Sequence, residues 1–322
     1  MANPIFKFEE AVRQQCKASI LIEGLSGSGK SGLALMLGYT LAGNDWTKVF
    51  AIDTENKSLP LYRDLPTHTG TIFGAFKVGQ LTKDIGFKPS NYLAFRDVAV
   101  QNGAEVVIKD SISHAWQYSG GVLDLVNEAK KSSTRYAKDS YAAWSDETVM
   151  KEKNELMELL RHNDVHVICT VRVKEKMEYS TDEAGKTKLI SLGEQQIMQA
   201  DIKYEPDLVL RMEKPGDENT APEATVIKSR YAILKKDETY RFDAALMLQL
   251  KKYLEEGIDP QILLEEQRQD YVTAINNYLN TKPNFAPIWE KMKETEGFAK
   301  EVKTKEMPLH ALKSLYLKLT TN

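Results

Sequence analysis

Cysteine is nearly missing from this chain. There are two in 322 residues, Cys16 and Cys169, far apart in sequence. They supply no disulfide framework and no metal-type spacing, and they fit a reducing compartment. Cys169 lies in an apolar run and reads as a small core residue. Long hydrophobic runs are missing too. None approaches the ~18 apolar residues of a membrane span, and the amino terminus shows no signal-peptide core. A cytoplasmic protein with no membrane partner is therefore expected. Excess positive charge is also lacking: the net charge is −3, so any nucleic-acid contact must come from a local patch. No internal repeat is visible, which excludes solenoids and propellers. What remains is an ordinary globular composition, 42% hydrophobic and 28% charged, in a length that holds one large domain and one small one.

One stretch carries specific chemistry. Gly24-Leu25-Ser26-Gly27-Ser28-Gly29-Lys30-Ser31 fits the phosphate-binding loop: glycine, four residues, glycine, lysine, then serine or threonine. An apolar run over 18–23 reads as a buried strand before it, and 32–41 as a helix after it. Strand, glycine-rich turn and helix are what phosphate binding needs. Glycines let backbone N–H groups close on phosphate oxygens, and the helix N-terminus adds its dipole. Gly24, Ser26, Gly27, Ser28, Gly29, Lys30 and Ser31 are thus the expected nucleotide-binding residues. Lys30 is expected to reach the β- and γ-phosphates of ATP, and the Ser31 hydroxyl to hold Mg²⁺.

Further apolar runs over 48–52, 105–108, 164–171, 207–212 and 224–228 read as strands, with 76–78 as a short one. Helical patterns fall at 91–101, closed by Asn102-Gly103, and at 145–162. Residues 9–15 read as a helical turn or two, and 178–192 as a hairpin turning at 182–185. Strands separated by helices predict an α/β fold with a mostly parallel central sheet flanked by helices. From Asp243 the pattern becomes helical: 244–256, 260–279 with Pro260 in its first turn, 287–296 and 308–320. A boundary near Gly257 separates an expected P-loop ATPase domain, 1–257, from a small C-terminal helical module, 258–322. In that module Ile262, Leu263, Leu264, Ile275 and Leu279 read as core.

Ligands of such sheets bind at the carboxyl ends of the strands. Asp110, after the apolar run 105–108, fits the acid that holds Mg²⁺, and Glu55, just past 48–52, fits a base that aligns the attacking water. The plain alternative is that both acids simply end their strands.

The set resembles the ATPase core of RecA-like recombinases, within the AAA/RecA superfamily of P-loop proteins. That family has a phosphate loop, then a strand ending in Ile-Asp-x-Glu, then one ending in Asp-Ser. Here these are Ile52-Asp53-Thr54-Glu55 and Ile108-Lys109-Asp110-Ser111. Pro60 and Tyr62 stand at the offsets of the family's proline and its adenine-stacking tyrosine. The resemblance spans residues 17–230 and is nearest to phage-encoded RecA-like ATPases of recombination and replication modules, some of which promote single-strand annealing. It implies a RecA-like fold, with Glu55 and Lys30 catalytic and Tyr62 on the adenine. It also implies a homo-oligomer, ring or filament, other replication or recombination proteins as partners, and a phage protein in a bacterial host. Lys228-Ser229-Arg230-Tyr231 is similar to the segment with which relatives reach into a neighbour's ATP site; ordinary surface charge is the alternative. Arg172 stands where relatives place a γ-phosphate sensor, or is a solvated loop arginine. The chain departs from the family at Leu59, where an acid precedes the family's proline, and its C-terminal helices have no counterpart there.

Residues 114–144 interleave Trp116, Tyr118, Tyr136, Tyr141 and Trp144 with Lys130, Lys131, Arg135 and Lys138. Bases for phosphates and rings for stacking suit a single-stranded nucleic acid. The alternative is that Trp116 and Trp144 are core residues and the bases a solvated face. His114, His162 and His166 show no metal spacing. The expected function is a Mg²⁺-dependent, DNA-stimulated ATPase promoting annealing or recombination on single-stranded DNA. A ring helicase-like or helicase-loading motor shares these motifs. A P-loop small-molecule kinase uses the same loop with an arginine lid, and a nucleotide-switched binding module would turn over very slowly.

Overall fold

The apolar runs of the sequence become the strands of one sheet. In the computed structural model, residue 8 and residues 10–132, 134–139, 141–161, 164–181, 187–212, 221–299 and 301–321 are described, with side chains described for all of these except 137–138, 176–181, 187–194 and 321. They fall into two units, residues 17–254 and residues 1–16 with 255–322.

The larger unit runs β1 (Ser19–Gly24), α1 (Lys30–Leu41), β2 (Val49–Asp53), β3 (Lys77–Gln80), α2 (Pro89–Gln101), β4 (Val106–Asp110), α3 (Ser113–Gln117), α4 (Val122–Ser132), α5 (Thr134–Lys138), α6 (Glu147–Glu158), β5 (His166–Thr181), β6 (Thr187–Gln196), β7 (Leu208–Met212), β8 (Glu223–Ser229), β9 (Thr239–Arg241) and α7 (Ala244–Leu254). The strand order is β3-β2-β4-β5-β1-β7-β8-β9, and β6 pairs with β5 off this path. Strands β3 to β7 along that path pair in parallel, while β8 and β9 close one side antiparallel. The fold is therefore α/β with a mostly parallel sheet. β5 outruns the sheet and, with β6, makes a two-stranded antiparallel arm. This is the hairpin expected from the sequence, and its turn at 182–185 lies outside the described residues.

Alternation along β1 sends Ile20 and Ile22 to one face of the sheet and Leu21 to the other. The first face is covered by α1 and α7 through Leu33, Leu37, Met247 and Leu250. The second is covered by α2, α3 and α6 through Tyr92, Ala115 and Leu156. With helices on both faces, the inner strands are apolar almost throughout. Pro89 opens α2 at its first turn, and Asp146 caps α6 by accepting from the N–H groups of Thr148 and Val149.

The smaller unit contains α8 (Pro260–Thr281), α9 (Ala286–Thr295) and α10 (Leu309–Thr321). Its core is built from Tyr271, Ile275, Trp289, Leu312, Leu315 and Leu319. Ile262 and Leu264, expected in that core, are 55% and 45% exposed. The reason is length: α8 has 22 residues against 10 in α9 and 13 in α10, so its partners, about 15 and 20 Å long, cannot cover a helix of about 33 Å. The helical turn expected at 9–15 is also absent from described residues 10–15. Arg13 and Gln15 instead exchange backbone hydrogen bonds with Ile258, at 2.9 and 3.0 Å. The amino-terminal residues thus group with the C-terminal helices, whereas the sequence pattern put 1–257 together. Among the described residues no helix is long and apolar enough to cross a membrane.

One feature of the fold is pH-sensitive. His166, at the start of β5, accepts a hydrogen bond from the Ala18 N–H at 2.9 Å and is buried. Burial, with the charges of Lys17 and Lys251, holds its pKa down to about 3. The folded ring stays neutral while the unfolded ring protonates below its ordinary value near 6.5. The unfolded state therefore binds more protons below that pH, and the stability His166 contributes is lost as pH falls from about 6.5 toward 3. Denaturant titrations should show stability dropping by up to about 1.4 kcal/mol per pH unit from this group alone. His166→Gln, which retains an acceptor but does not titrate, should flatten that slope; an unchanged slope contradicts the assignment.

Candidate nucleotide site

The parallel register brings the ends of β1, β2 and β4 to one edge of the sheet, beside Arg172 midway along β5. Gly24 of β1 lies opposite Arg172 of β5, and Asp53 of β2 lies opposite Asp110 of β4. The chain leaves β1 at Gly24, where a Cβ would lie 2.6 Å from Ser28 Oγ and 3.0 Å from Met212 Cβ. Glycine is thus required there by contact. Gly29, the N-cap of α1, has φ 87° and makes no side-chain cap, so the first-turn N–H groups of α1 are left for a ligand.

Lys30 is the first residue of α1. Its Nζ donates to the Leu25 carbonyl at 2.7 Å. Burial lowers its pKa, opposed by the charges of Asp110 and Glu55 and reinforced by Arg172. Ser31 Oγ donates to Asp110 Oδ2 at 2.6 Å. Asp110 is 2% exposed, and its other oxygen accepts from the Thr170 hydroxyl on β5. Burial raises the pKa of Asp110 against these two hydrogen bonds, with the charges of Glu55 and Asp53 adding to the rise.

Glu55 sits just beyond β2. Arg172 grips both of its oxygens, Nε to Oε1 at 2.6 Å and Nη2 to Oε2 at 2.5 Å. Burial pushes the Glu55 pKa up, but the Arg172 hydrogen bonds and charge outweigh it, aided by His114 and Lys30, and the net shift is downward. The loop that carries Glu55 is shaped by Asp53, which is fully buried. Its Oδ1 accepts from Glu55 N–H at 2.7 Å, and its Oδ2 from Leu59 N–H at 3.2 Å and Gln80 Nε2 at 3.1 Å. Beside it, Thr54 Oγ1 accepts from Ser111 N–H at 2.9 Å and lies 2.6 Å from His114 Nδ1.

Tyr62 reaches this edge from a 3₁₀ turn over Leu59–Tyr62. Its ring packs edge-on to Phe73, with centroids 5.2 Å apart. One ring carbon lies 3.4 Å from where a Cβ on Gly32 would stand, so the phenol covers the first turn of α1.

Lys30, Ser31, Asp110, Glu55, Arg172 and Tyr62 therefore converge. The residues fit a Mg-nucleotide on two grounds. Ser28 Oγ is buried with no hydrogen-bond partner among the described residues, as expected of a loop whose partner is a phosphate. Mg²⁺ takes few protein oxygens, the rest being phosphate and water; Ser31 Oγ and the Asp110 carboxylate are two such oxygens side by side. Among the described residues no group of three or more His, Cys, Asp or Glu could hold a metal ion by itself.

Other expected residues lie elsewhere. Ser229 of β8 pairs with Leu208, which pairs with Ile20 of β1. Lys228 and Arg230 are therefore near the amino end of β1, about 13 Å of strand from Gly24. Lys228 Nζ donates to the carbonyls of Tyr204 and Pro206, at 2.6 and 2.5 Å, and Arg230 pairs with Asp207 at 2.9 Å. They are not part of their own chain's cluster. Lys130 and Lys131 end α4, and Arg135 lies exposed on α5; the side chain of Lys138 is outside the described residues. Trp116 and Trp144 stack on each other, centroids 6.2 Å apart, against the cores they border, so those two rings pack inward. Tyr141 is 84% exposed, while the Tyr118 ring packs edge-on with His114 and Phe87 and its hydroxyl accepts from Arg172 Nη1 at 3.2 Å.

The sequence does not mark Thr170, Asp53 or Ser113 as site residues, and it places Tyr118 in the aromatic segment rather than at the nucleotide site. Asp53 lay within the Ile-Asp-Thr-Glu motif. The others touch the site only through contacts 59 or more residues distant in sequence, or through Arg172 itself.

A family profile described as an AAA domain matches residues 16–244. The chain belongs to that family. The match contains the whole cluster just described, so the larger unit is a P-loop ATPase domain of AAA type. Among solved structures, the crystal structure of flagellar accessory protein FlaH from Methanocaldococcus jannaschii is similar at 18% identity and TM-score 0.36, covering 70% of this AAA-domain chain and 84% of that chain. No curated protein matches the chain.

Proposed function

We propose that this AAA-domain protein is a Mg²⁺-dependent ATPase that acts on single-stranded DNA in annealing, recombination or replication, as an assembly of identical copies. The observation that carries the catalytic part is the convergence of Lys30, Ser31, Asp110, Glu55 and Arg172 at one sheet edge. Loop N–H groups and Lys30 hold the phosphates of ATP. Ser31 and Asp110 would hold Mg²⁺, which would supply positive charge against the phosphates. Glu55 takes the proton of the attacking water, and Lys30 and Arg172 stabilise charge on the transferred group. Tyr62 stacks on the base.

The DNA part rests on the RecA-like motifs and on the bases of α4 and α5, with exposed Tyr141 nearby in sequence. Tyr118 supports a link between that segment and the site, because it precedes α4 and touches Arg172. The distance of Lys228 and Arg230 from their own phosphate loop supports a role for them in a neighbouring copy's site.

Two measurements test this reading. ATP turnover should rise on adding single-stranded DNA, and replacing Lys130, Lys131 and Arg135 by Gln should lower the slope of log affinity against log salt by about 2, at ~0.7 per phosphate contact. No stimulation, or a native slope in the triple variant, contradicts the DNA role. For the assembly, Arg230→Ala and Lys30→Ala proteins should each hydrolyse ATP poorly yet recover activity when mixed, since some interfaces then pair an intact loop with an intact arginine. Absence of recovery, with specific activity independent of concentration, contradicts a site completed by a neighbour.

A further inference from the structure

The first N–H groups of an α-helix have no partner inside the helix. In α1 the last of these belongs to Gly32, because the next N–H, that of Leu33, already donates to the Gly29 carbonyl at 3.0 Å. Gly32 also lacks a side chain, and Tyr62 fills the space. One ring carbon lies 3.4 Å, and the phenol oxygen 3.9 Å, from where a Cβ on Gly32 would stand. The oxygen is hydrogen-bonded there with the Gly32 backbone and the Ser31 side chain. Burial, and then the charge of Asp110, raise the pKa of the phenol against those two bonds. It therefore meets the N–H group as a neutral hydroxyl.

The backbone beneath Tyr62 is fixed. Leu59, which opens the 3₁₀ turn, is fully buried and donates its N–H to Asp53 at 3.2 Å. Arg63 N–H closes the turn on the Pro60 carbonyl at 3.1 Å. The side chain is held less firmly. Tyr62 is half-buried, and Leu61 and Leu65 on either side of it are 74% and 50% exposed. Its ring meets Phe73 edge-on, a contact worth little beyond its buried area. The ring can thus turn about its own side-chain bonds while the loop keeps its shape.

We infer that the Tyr62 hydroxyl is a latch on the phosphate loop, by which the site selects nucleotides over inorganic polyphosphates: it holds the Gly32 N–H that a phosphate must take, and the displaced ring passes from α1 to the base. This rests on reading Lys30, Ser31 and Asp110 as the nucleotide site. The competition has a direction. A phosphate oxygen is charged and makes a stronger hydrogen bond than a neutral phenol. The helix N-terminus also favours an anion over a neutral group. The phenol therefore yields to phosphate. A nucleotide offers the freed ring a base to stack on, which offsets the lost hydrogen bonds. A bare polyphosphate carries the same anionic groups but offers the ring nothing. The latch thus opposes both ligands, and only the one with a base compensates for opening it.

The test is the affinity of the full chain, with Mg²⁺, for ADP and for tripolyphosphate, measured by calorimetry. Native protein, Tyr62→Phe and Tyr62→Leu are compared, and thermal melts establish that each variant is folded. Phenylalanine keeps the ring and loses the hydroxyl, whereas leucine loses both. Tyr62→Phe should tighten both ligands by about two- to tenfold, the range for one hydrogen bond no longer displaced. Tyr62→Leu should tighten tripolyphosphate to the same degree, yet bind ADP about fivefold or more weaker than Tyr62→Phe does, because base stacking is gone. A ring that only stacks on the base makes Tyr62→Phe equal to native protein for both ligands. That result, or weaker binding by Tyr62→Phe, overturns the latch and leaves the nucleotide site in place. Equal ADP affinity in the two variants overturns the transfer of the ring to the base, and the selectivity with it. Failure of the native protein to bind either ligand, or binding of native strength by Lys30→Ala, overturns the site reading itself.

Discussion

A single buried carboxylate joins the parts of this site. Asp110 takes one hydroxyl from Ser31 at the start of α1 and one from Thr170 on β5. An ionised carboxylate so far from water is costly unless its oxygens are hydrogen-bonded, and both are. The contacts bind helix to strand and strand to strand at the level where the phosphate loop begins. They also explain why the sheet order matters. β5 lies between β1 and β4, so the strand bearing Thr170 separates the strand of the loop from the strand of the acid. The hydroxyl therefore fills the gap that two adjacent strands would not have.

A second buried acid performs the analogous task for the loop that carries Glu55. Asp53 spends its oxygens on the backbone N–H groups of Glu55 and Leu59 and on Gln80. Those bonds fix where the chain turns after β2, and so where Glu55 and Tyr62 begin. The division of labour follows from burial. Asp110 and Asp53 are enclosed and hold structure, whereas Glu55 and Arg172 are partly exposed and have only each other and a few neighbours. Partly exposed groups cost less to rearrange than enclosed ones.

Much of this was legible in the sequence wherever the signal was local. The phosphate loop is eight consecutive residues between a strand and a helix, and the backbone geometry of Gly24 and Gly29 accounts for its glycines. Asp110 and Glu55 could be placed because apolar runs of similar length, aligned in parallel, deliver their final residues to one edge. Contacts across the sheet were not legible. The Glu55–Arg172 pair spans 117 residues, and nothing around Thr170 distinguishes it from any strand threonine. Aromatic residues misled in part: Trp116 and Trp144 have the composition of a stacking surface but pack against each other and the core. Ile262 and Leu264 misled in the opposite sense, since an apolar pattern says which face could be buried and not whether a neighbouring helix is long enough to bury it. The pairing of Arg13 and Gln15 with Ile258 joins segments more than 240 residues apart, beyond the reach of any local pattern.

The central claim is that Glu55 is the base for hydrolysis of a nucleotide held by Lys30, Ser31 and Asp110. Single-turnover hydrolysis of ATP with Mg²⁺ by Glu55→Gln tests it most directly. An amide keeps the shape of the carboxylate and can orient a water but cannot take its proton. The account predicts retained ATP binding with a chemical step slower by about 10²–10⁴-fold, the contribution of a positioned general base. Hydrolysis by that variant at the native rate would contradict it.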